Sequence, residues 1–297
     1  MPDPIFQTNV TLAPYTTYKI GGPADYFFVA KNTKELVEAV AYARKNKLPY
    51  FILGTGANIL FGDKGFRGLV IKNETNKIIL NGNKITADSG VVIESIINFT
   101  YKNNLSGFEH FAGIPSTIGG ALWQNLHFLS PDRKETIFID SILESAEILD
   151  EKNNIIVVDK NFFKFGYDYS ILHDRNLIVT KATFNLVRKD KDLIKKQIEE
   201  NLKWRKEKHP PLEKYPSCGS VFKKAGEVAA GKMIDGVGLK GYQIGGAQIS
   251  EKHTNFIVNK GNAKASDVVS LINLVKEKVK KETGYSLETE VGFVGEF

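Results

Sequence analysis

The spacing of apolar and polar positions along the chain changes from helical to strand-like and back, and the changes suggest where its parts divide. Asn32 is followed three residues later by Glu35, and Leu36, Val37, Val40 and Ala43 then recur at helical spacing, which predicts a capped helix ending near Lys47. A short apolar run, Phe51 to Leu53, predicts a strand; the turn GTGAN and a second apolar stretch, Gly68 to Ile71, follow it as an α/β beginning. From Glu144 to Val187 the segments SAEILD, NIIVVD and NLIVTKATFNLV, punctuated by Asn, Asp and Gly, predict a mixed sheet. A charged helix from about Asp192 to Lys206, with Ile194, Ile198 and Leu202 on one face, must stop at His209-Pro210-Pro211, the best domain boundary in the pattern. The last helix takes Ser266 as its cap, Val268, Ile272, Val275 and Val279 as its stripe and Gly284 as its end.

At 297 residues the chain exceeds the about 100 to 200 residues usual for one domain, so two domains are expected. The start, MPDPIFQTNVTLAPY, lacks a basic segment followed by an apolar run, and no apolar stretch approaches the ~20 residues that span a bilayer. A cytoplasmic location without membrane insertion is therefore expected. The one cysteine, Cys218, excludes an internal disulfide and a multi-cysteine metal site. His110, His127, His173, His209 and His253 show no ligand spacing, so no metal is expected. The net charge of +6 arises from 40 basic and 34 acidic residues that are interleaved, which describes a solvated surface with a modest pull on anions. No basic patch alternates with aromatic residues, and nucleic acid is not an expected partner.

Gly54, Thr55, Gly56, Ala57 and Asn58 directly follow the predicted strand, where freed backbone N–H groups can form a nest for a phosphate. Ile59 occupies the third glycine position of GxGxxG, so a Rossmann fingerprint is not matched and a tight turn explains the segment equally well. The stretch Gly113, Ile114, Pro115, Ser116, Thr117, Ile118, Gly119 and Gly120 combines a proline-fixed bend, two hydroxyls and a glycine pair against which a planar ligand can lie. Two such segments in one region favour a long cofactor with a phosphate middle. GEVAAGK, from Gly226 to Lys232, nearly spells a P-loop, but Met233 stands where Ser or Thr must ligate magnesium, and a helix start is the better reading. Ser220, in PSCGSVFKK, is outside a GxSxG elbow. A hydroxyl held near positive charge can hand a proton to a carbanion, and Lys223 is close in sequence, but a turn serine is the simpler account by residue type. Glu288 and Glu290 alternate with apolar neighbours in a strand-like segment that puts both carboxylates on one face, where solvated surface charge is the simplest reading.

Taken in order, TTYKIGGPAD, FILGTGANILFGDKGFRGLVIKN, GFEHFAGIPSTIGGA, FKFGYDYS, PSCGSVFK, GLKGYQIGGAQIS, NFIVN and SLETEVGFVG resemble the UDP-N-acetylenolpyruvoylglucosamine reductases, flavoproteins of bacterial peptidoglycan synthesis. The likeness covers nearly the whole chain and is to the shorter type, without an extra tyrosine loop. It implies an α+β protein: a vanillyl-alcohol-oxidase-type (PCMH-type) FAD-binding region over 1–188, in two α/β subdomains of about 1–72 and 73–188, followed by a smaller α/β substrate-binding domain over 189–297. It implies FAD and NADPH as cofactors, a UDP-sugar substrate, and a monomer. Gly54, Thr55, Gly56, Ala57, Asn58, Ile59 and Leu60 would hold the FAD pyrophosphate side, with Gly113, Ile114, Pro115, Ser116, Thr117, Gly119, Gly120 and Asn125 around the flavin. Ser220 would be the proton donor and Glu290 the carboxylate lining the enolpyruvyl site, with Lys208, Lys223, His253 and Asn259 binding the nucleotide sugar.

Three stretches depart from the family pattern. The usual Tyr-Arg-x-Ser is here Tyr167-Asp168-Tyr169-Ser170, so the arginine that normally steadies the enolate is replaced by an aspartate that would repel it. Another cation is then required, and Arg133, Lys164 and Arg175 are the candidates. QNLHFLSPDRKE replaces a loop of small residues after the glycine pair, and Lys224-Ala225 replaces Asn-Pro after GSVFK. The missing arginine keeps two other readings open: a PCMH-type flavin oxidoreductase for a different metabolite, or a non-catalytic relative that binds nucleotide sugar or flavin.

Overall fold

The computed structural model describes residues 4–226 and 228–297; residues 1–3, at the start of the segment read for a targeting signal, and Glu227, within the near-P-loop match, lie outside the described residues. Two compact units form. Unit 1 gathers Phe28–Thr55 and Ile71–Arg205 with Pro4 and Ile5; unit 2 gathers Phe6–Phe27, Gly56–Val70 and Lys206–Phe297. No helix among the described residues is long and apolar enough to cross a membrane.

Unit 1 opens with helix α1 (Thr33–Lys45), which buries Leu36, Ala39, Val40 and Ala43. Its start is the predicted one: Asn32 Oδ1 accepts the Glu35 N–H at 3.0 Å while the Glu35 carboxylate accepts the Lys31 N–H at 2.7 Å. The strand after it is Tyr50–Leu53. The rest of unit 1 is built on five strands in the order Ile155–Asp159, Leu143–Leu149, Ile178–Asn185, Lys84–Asp88 and Ile78–Asn81. Every pairing in it is antiparallel, not mixed as the sequence pattern suggested. The tight turns at Gly82 and at Asp150–Asn154 join neighbouring strands directly, which only antiparallel neighbours allow. Helices α2 (Ile93–Lys102) and α3 (Ile118–Gln124) supply Ile93, Ile96, Ile97, Ile118, Ala121 and Leu122 to one core with Ile85, Ile148, Val179 and Phe184 of the sheet. Each fully buried Ile, Leu or Phe there stabilises by about 1.5–3 kcal/mol.

Helix α4 (Lys191–Lys208) stops before Pro210, as the prolines require. Its inner face differs from the expected one. Ile194, Gln197 and Asn201 are buried, whereas Leu202 is 46 % exposed. Asn201 explains the shift, because its Nδ2 donates to the His110 carbonyl at 2.9 Å and its Oδ1 accepts from Arg133 at 2.9 Å and Gln197 at 3.0 Å. A buried side-chain amide with three good partners can replace an apolar contact.

Unit 2 holds α5 (Ala230–Gly236), α6 (Ala265–Thr283) and the antiparallel strands Gln243–Ile244, Ala247–Ile249 and Ile257–Asn259. Ile234, Ile257, Leu271, Val275, Val221, Phe222, Leu60 and Tyr18 form its core. Ile59–Phe61 pairs in parallel with Gly292–Val294, setting Leu60 opposite Phe293. Helix α6 ends at Gly284 in the left-handed region, as predicted, but Ser266 is not its cap. Asp63, about 200 residues earlier in the chain, accepts the N–H groups of Ala265 at 2.7 Å and Ser266 at 3.0 Å. Local spacing could not reveal a cap supplied from another part of the chain.

Candidate functional site

The two glycine-bearing loops of unit 1 meet. Thr55 Oγ1 donates to the Pro115 carbonyl at 2.9 Å, and the Lys72 ammonium donates to the Gly54 carbonyl. A Cβ on Gly54 would stand 2.7 Å from Thr117 Oγ1. That oxygen is already engaged, accepting the Gly120 N–H at 3.2 Å and so capping α3. The Ile118 and Gly119 N–H groups donate at 2.8 Å to the carbonyls of Val91 and Ser89, so the turn is tied to the strand end before α2. Beside this junction a cavity of about 620 Å³ is lined by Lys31, Lys72, Asn73, Gly90, Val92 and Thr117 among others. Burial holds the Lys72 ammonium below its usual pKa, partly countered by the Glu74 carboxylate, which also pairs with Lys31. Two ammonium groups at the wall, and a Gly54 position where a side chain would intrude on Thr117, suit a phosphate-bearing dinucleotide such as FAD.

The other predicted cofactor positions divide between the units. In unit 1, Gly113 adopts φ +80°, Ile114 packs on the core, and Ser116 Oγ donates to the Thr117 carbonyl at 3.1 Å. Asn125 closes α3 in the left-handed region and donates to the Gly166 carbonyl at 3.1 Å, leaving its buried Oδ1 without a hydrogen-bond partner. In unit 2, the Gly56 carbonyl accepts the Thr17 N–H at 3.2 Å, and the Asn58 carbonyl accepts the Gly292 N–H at 3.0 Å. Ala57 lies between these two anchored residues. Ile59 and Leu60 enter the parallel strand pair, where the Leu60 side chain is buried in the core and only its backbone is left to meet a ligand.

Within unit 2, Ser220 and Glu290 are drawn together by backbone. The Glu290 N–H donates to the Val221 carbonyl at 2.8 Å, and the Lys223 N–H to the Glu288 carbonyl at 3.0 Å. Asn255 pins the same segment from its other side: its Oδ1 accepts the Phe222 N–H at 3.0 Å, its Nδ2 donates to the Phe222 carbonyl at 2.9 Å, and its own carbonyl accepts the Val221 N–H at 2.8 Å. The segment carrying the two glutamates makes a single antiparallel bridge there rather than a longer strand pairing. Only Thr289 bridges to Phe222, the Glu288 side chain is 79 % exposed beside Lys223 at 3.9 Å, and Glu290 is half-buried. Glu290 also faces Cys218, whose thiol is pushed up to about 12, first by burial and then by that negative charge, so it is no nucleophile near neutral pH.

The four predicted sugar-binding residues also fall in unit 2, in different settings. Lys208 ends α4 and is exposed. The His253 Nδ1 accepts the Asn255 N–H at 3.2 Å, and burial lowers its pKa, which favours the neutral ring. Asn259 is buried: its Nδ2 donates to the Tyr18 carbonyl at 3.1 Å and its Oδ1 accepts the N–H groups of Gly261 and Ala263. Among the described residues, no group of three or more His, Cys, Asp or Glu comes together in a way that could hold a metal ion.

Residues 24–159 match the family model described as FAD binding domain, and residues 210–294 match the C-terminal domain of UDP-N-acetylenolpyruvoylglucosamine reductase. The chain is 43 % identical over 289 residues to the UDP-N-acetylenolpyruvoylglucosamine reductase of Caldanaerobacter subterraneus subsp. tengcongensis, an alignment covering 97 % of this chain and 93 % of that one. The chain belongs to the UDP-N-acetylenolpyruvoylglucosamine reductase family. The Clostridium novyi reductase is 38 % identical over 98 % of this chain and 92 % of its own. The crystal structure of the Thermus caldophilus reductase superposes with a TM-score of 0.81 at 30 % identity, covering 98 % of this chain and all of that one. Both the α+β architecture and the FAD-binding region expected from the motifs are thereby established.

Beyond α3 lies a corner built around a buried carboxylate. Asp168 is 4 % exposed, adopts φ +53°, and neither carboxylate oxygen has a hydrogen-bond partner. His127 faces it, with Nδ1 3.7 Å from Asp168 Oδ1 and 3.4 Å from the Asn125 carbonyl. Of the cations that sequence alone put forward, Arg133 donates from Nη2 to Asn201 while its buried Nη1 has no hydrogen-bond partner, and Arg175 binds both carboxylate oxygens of Glu151 at 2.9 Å. Lys164 takes the left-handed position that ends the turn Lys160–Phe163. Sequence reading missed His127 because it weighed histidines only for metal spacing. It also missed Lys72, whose one signal was a lysine inside the apolar run GLVIKN, and Asn255, which resembles any loop asparagine.

Proposed function

We propose that this chain reduces UDP-N-acetylglucosamine enolpyruvate to UDP-N-acetylmuramate, acting as a monomer in the cytoplasm. NADPH is the reductant; FAD, when bound, relays its hydride to the enolpyruvyl double bond. The observation that carries this reading is the junction of the Gly54 and Thr117 loops beside a cavity walled by Lys31 and Lys72, in a chain of this family. The region 1–188 is assigned to FAD, with subdomains of about 1–72 and 73–188, and 189–297 to the substrate.

In this reading Gly54 to Leu60 hold the pyrophosphate side of FAD, and Gly113 to Gly120 with Asn125 surround the flavin ring. Lys72 supports the Gly54 carbonyl and adds positive charge for the phosphates. Hydride addition at C3 leaves charge at C2 that spreads into the carboxylate, and Ser220 Oγ supplies the proton that quenches it. Glu290, held beside Ser220 through the Val221 carbonyl, lines the enolpyruvyl site. Lys208 and Lys223 offer charge to the diphosphate, and His253 and Asn259 shape the sugar site, Asn259 by fixing the turn at Gly261.

Anaerobic stopped-flow on the FAD-loaded protein separates the two half-reactions. Ser220→Ala should leave flavin bleaching by NADPH unchanged and slow reoxidation by the UDP-sugar about 100- to 10,000-fold, the range for losing a general acid. If the wild-type protein binds no FAD, or its reduced form is not reoxidised by the UDP-sugar, the reading fails.

A further inference from the structure

We propose that His127, paired with Asp168, is a cationic positioning group that steadies the anionic enolpyruvyl carboxylate and the enolate derived from it. This rests on the function proposed above and deepens it by naming the positive charge that the reaction requires. Four observations of unit 1 lead to it. The Asp168 carboxylate is buried without a hydrogen-bond donor, a state strongly disfavoured for an ionised group unless a cation stands beside it. His127 is that neighbour, at 3.7 Å, a distance at which charge attraction acts without a hydrogen bond. Two aromatic rings also pack on the imidazole, Tyr167 with its centroid at 4.5 Å and Phe138 at 5.2 Å, both tilted, and electron-rich rings at that distance are compatible with a cation. Finally, Nδ1 looks onto two acceptors, the Asp168 carboxylate and the Asn125 carbonyl, a setting that favours a proton on that nitrogen.

Placement links the pair to the cofactor region. His127 comes two residues after Asn125, whose buried Oδ1 is also unpartnered, and α3 joins both to the Thr117 loop. An aspartate where the family has arginine would repel an enolate if it stood alone. Aspartate plus imidazolium is neutral as a pair, and it presents its positive member on the more exposed side, since the His127 side chain is 21 % exposed against 1 % for Asp168.

The charge is read directly by 15N-histidine NMR of the FAD-loaded protein at pH 7, assigned by loss of one ring in His127→Gln. Imidazolium nitrogen shifts in the wild type, becoming those of a neutral ring in Asp168→Asn, are expected. A neutral His127 in the wild type overturns the proposal even if Asp168→Asn does not fold. In stopped-flow, His127→Gln should bleach with NADPH within about twofold of the wild-type rate while reoxidation by the UDP-sugar slows about 100-fold, the scale of losing one fixed charge-stabilising donor. Its FAD absorbance and melting temperature report that it is folded. Equal slowing of both half-reactions, or of neither, also overturns the proposal. These results are distinct from failure of the parent reading, in which the wild-type protein itself would not be reoxidised.

Discussion

The two units prepare for ligands in opposite ways. In unit 1 the candidate cofactor region is made by leaving things out: a missing side chain at Gly54, a cavity beside Thr117, and acceptor oxygens on Asn125 and Asp168 that no protein donor satisfies. In unit 2 the segment carrying Ser220 is fixed by what is present, with Val221, Phe222 and Lys223 each tied through main-chain groups to Asn255 or to the Glu288–Glu290 stretch. A region built from space should respond to substitution mainly through ligand affinity. One built from hydrogen bonds should respond through stability and catalytic geometry together.

The hardest test of that contrast is Asn255→Ala. Asn255 is buried, and its loss would leave the Phe222 N–H and carbonyl without their side-chain partners. Each stranded buried group costs about 1–3 kcal/mol, so destabilisation of about 2–6 kcal/mol is expected in a denaturant melt. Reoxidation by the UDP-sugar should slow as well, because Ser220 lies two residues from Phe222. A variant with an unaltered melt would mean that the segment is held by something other than these bonds.

Gly54→Ala should act in the other currency. The new methyl would meet Thr117 Oγ1 at 2.7 Å and push it from its α3 cap. Loss of the cap costs about 1 kcal/mol of stability. FAD affinity, followed by flavin fluorescence on titration, should fall by about tenfold or more, which corresponds to a loss of at least about 1.4 kcal/mol in binding. A stability loss with undiminished affinity would place the dinucleotide away from this loop junction.

How much of this was legible in the sequence depends on how far apart the partners lie in the chain. The α1 cap, the end of α4 at Pro210 and the Gly284 stop of α6 were readable because each is set within a few residues. The pairing of Ile178–Asn185 with Lys84–Asp88, the Asp63 cap and the polar face of α4 were not, since each depends on a partner about 90 to 200 residues away. The site divides in the same way. The glycine loops announced themselves by composition, whereas the pairing of His127 with Asp168 joins residues 41 positions apart that no motif connects.

Asp63→Asn tests the remote cap. Burial raises the Asp63 pKa, but the hydrogen bonds from the Ser266 and Ala265 N–H groups outweigh it, so the carboxyl sits below its usual value. A depressed carboxyl contributes stability that is present above its unfolded pKa and is lost as pH falls through the folded one. The wild type should therefore lose this contribution on acidification below the ordinary aspartate range, while Asp63→Asn, about 1 kcal/mol less stable at pH 7, should show a flatter profile there. Parallel pH profiles for the two proteins would remove Asp63 from the account of α6.

The smallest expected effect comes from Glu288→Gln, and it separates two carboxylates that the sequence placed on one face. Glu288 is an exposed partner of Lys223 at 3.9 Å, and exposed pairs of this kind contribute about 0–1 kcal/mol. Its main-chain carbonyl, which accepts the Lys223 N–H, survives the substitution. Melting temperature and both half-reactions should therefore stay near wild type. Glu290→Gln changes the half-buried neighbour that faces Cys218. Removing that charge withdraws one of the two influences raising the thiol's pKa, so Cys218 should react faster with iodoacetamide at alkaline pH, and reoxidation by the UDP-sugar should slow. If Glu288→Gln damaged reoxidation more than Glu290→Gln, the carboxylate lining the substrate would be the exposed one, and the backbone ties around Ser220 would be orienting the wrong glutamate.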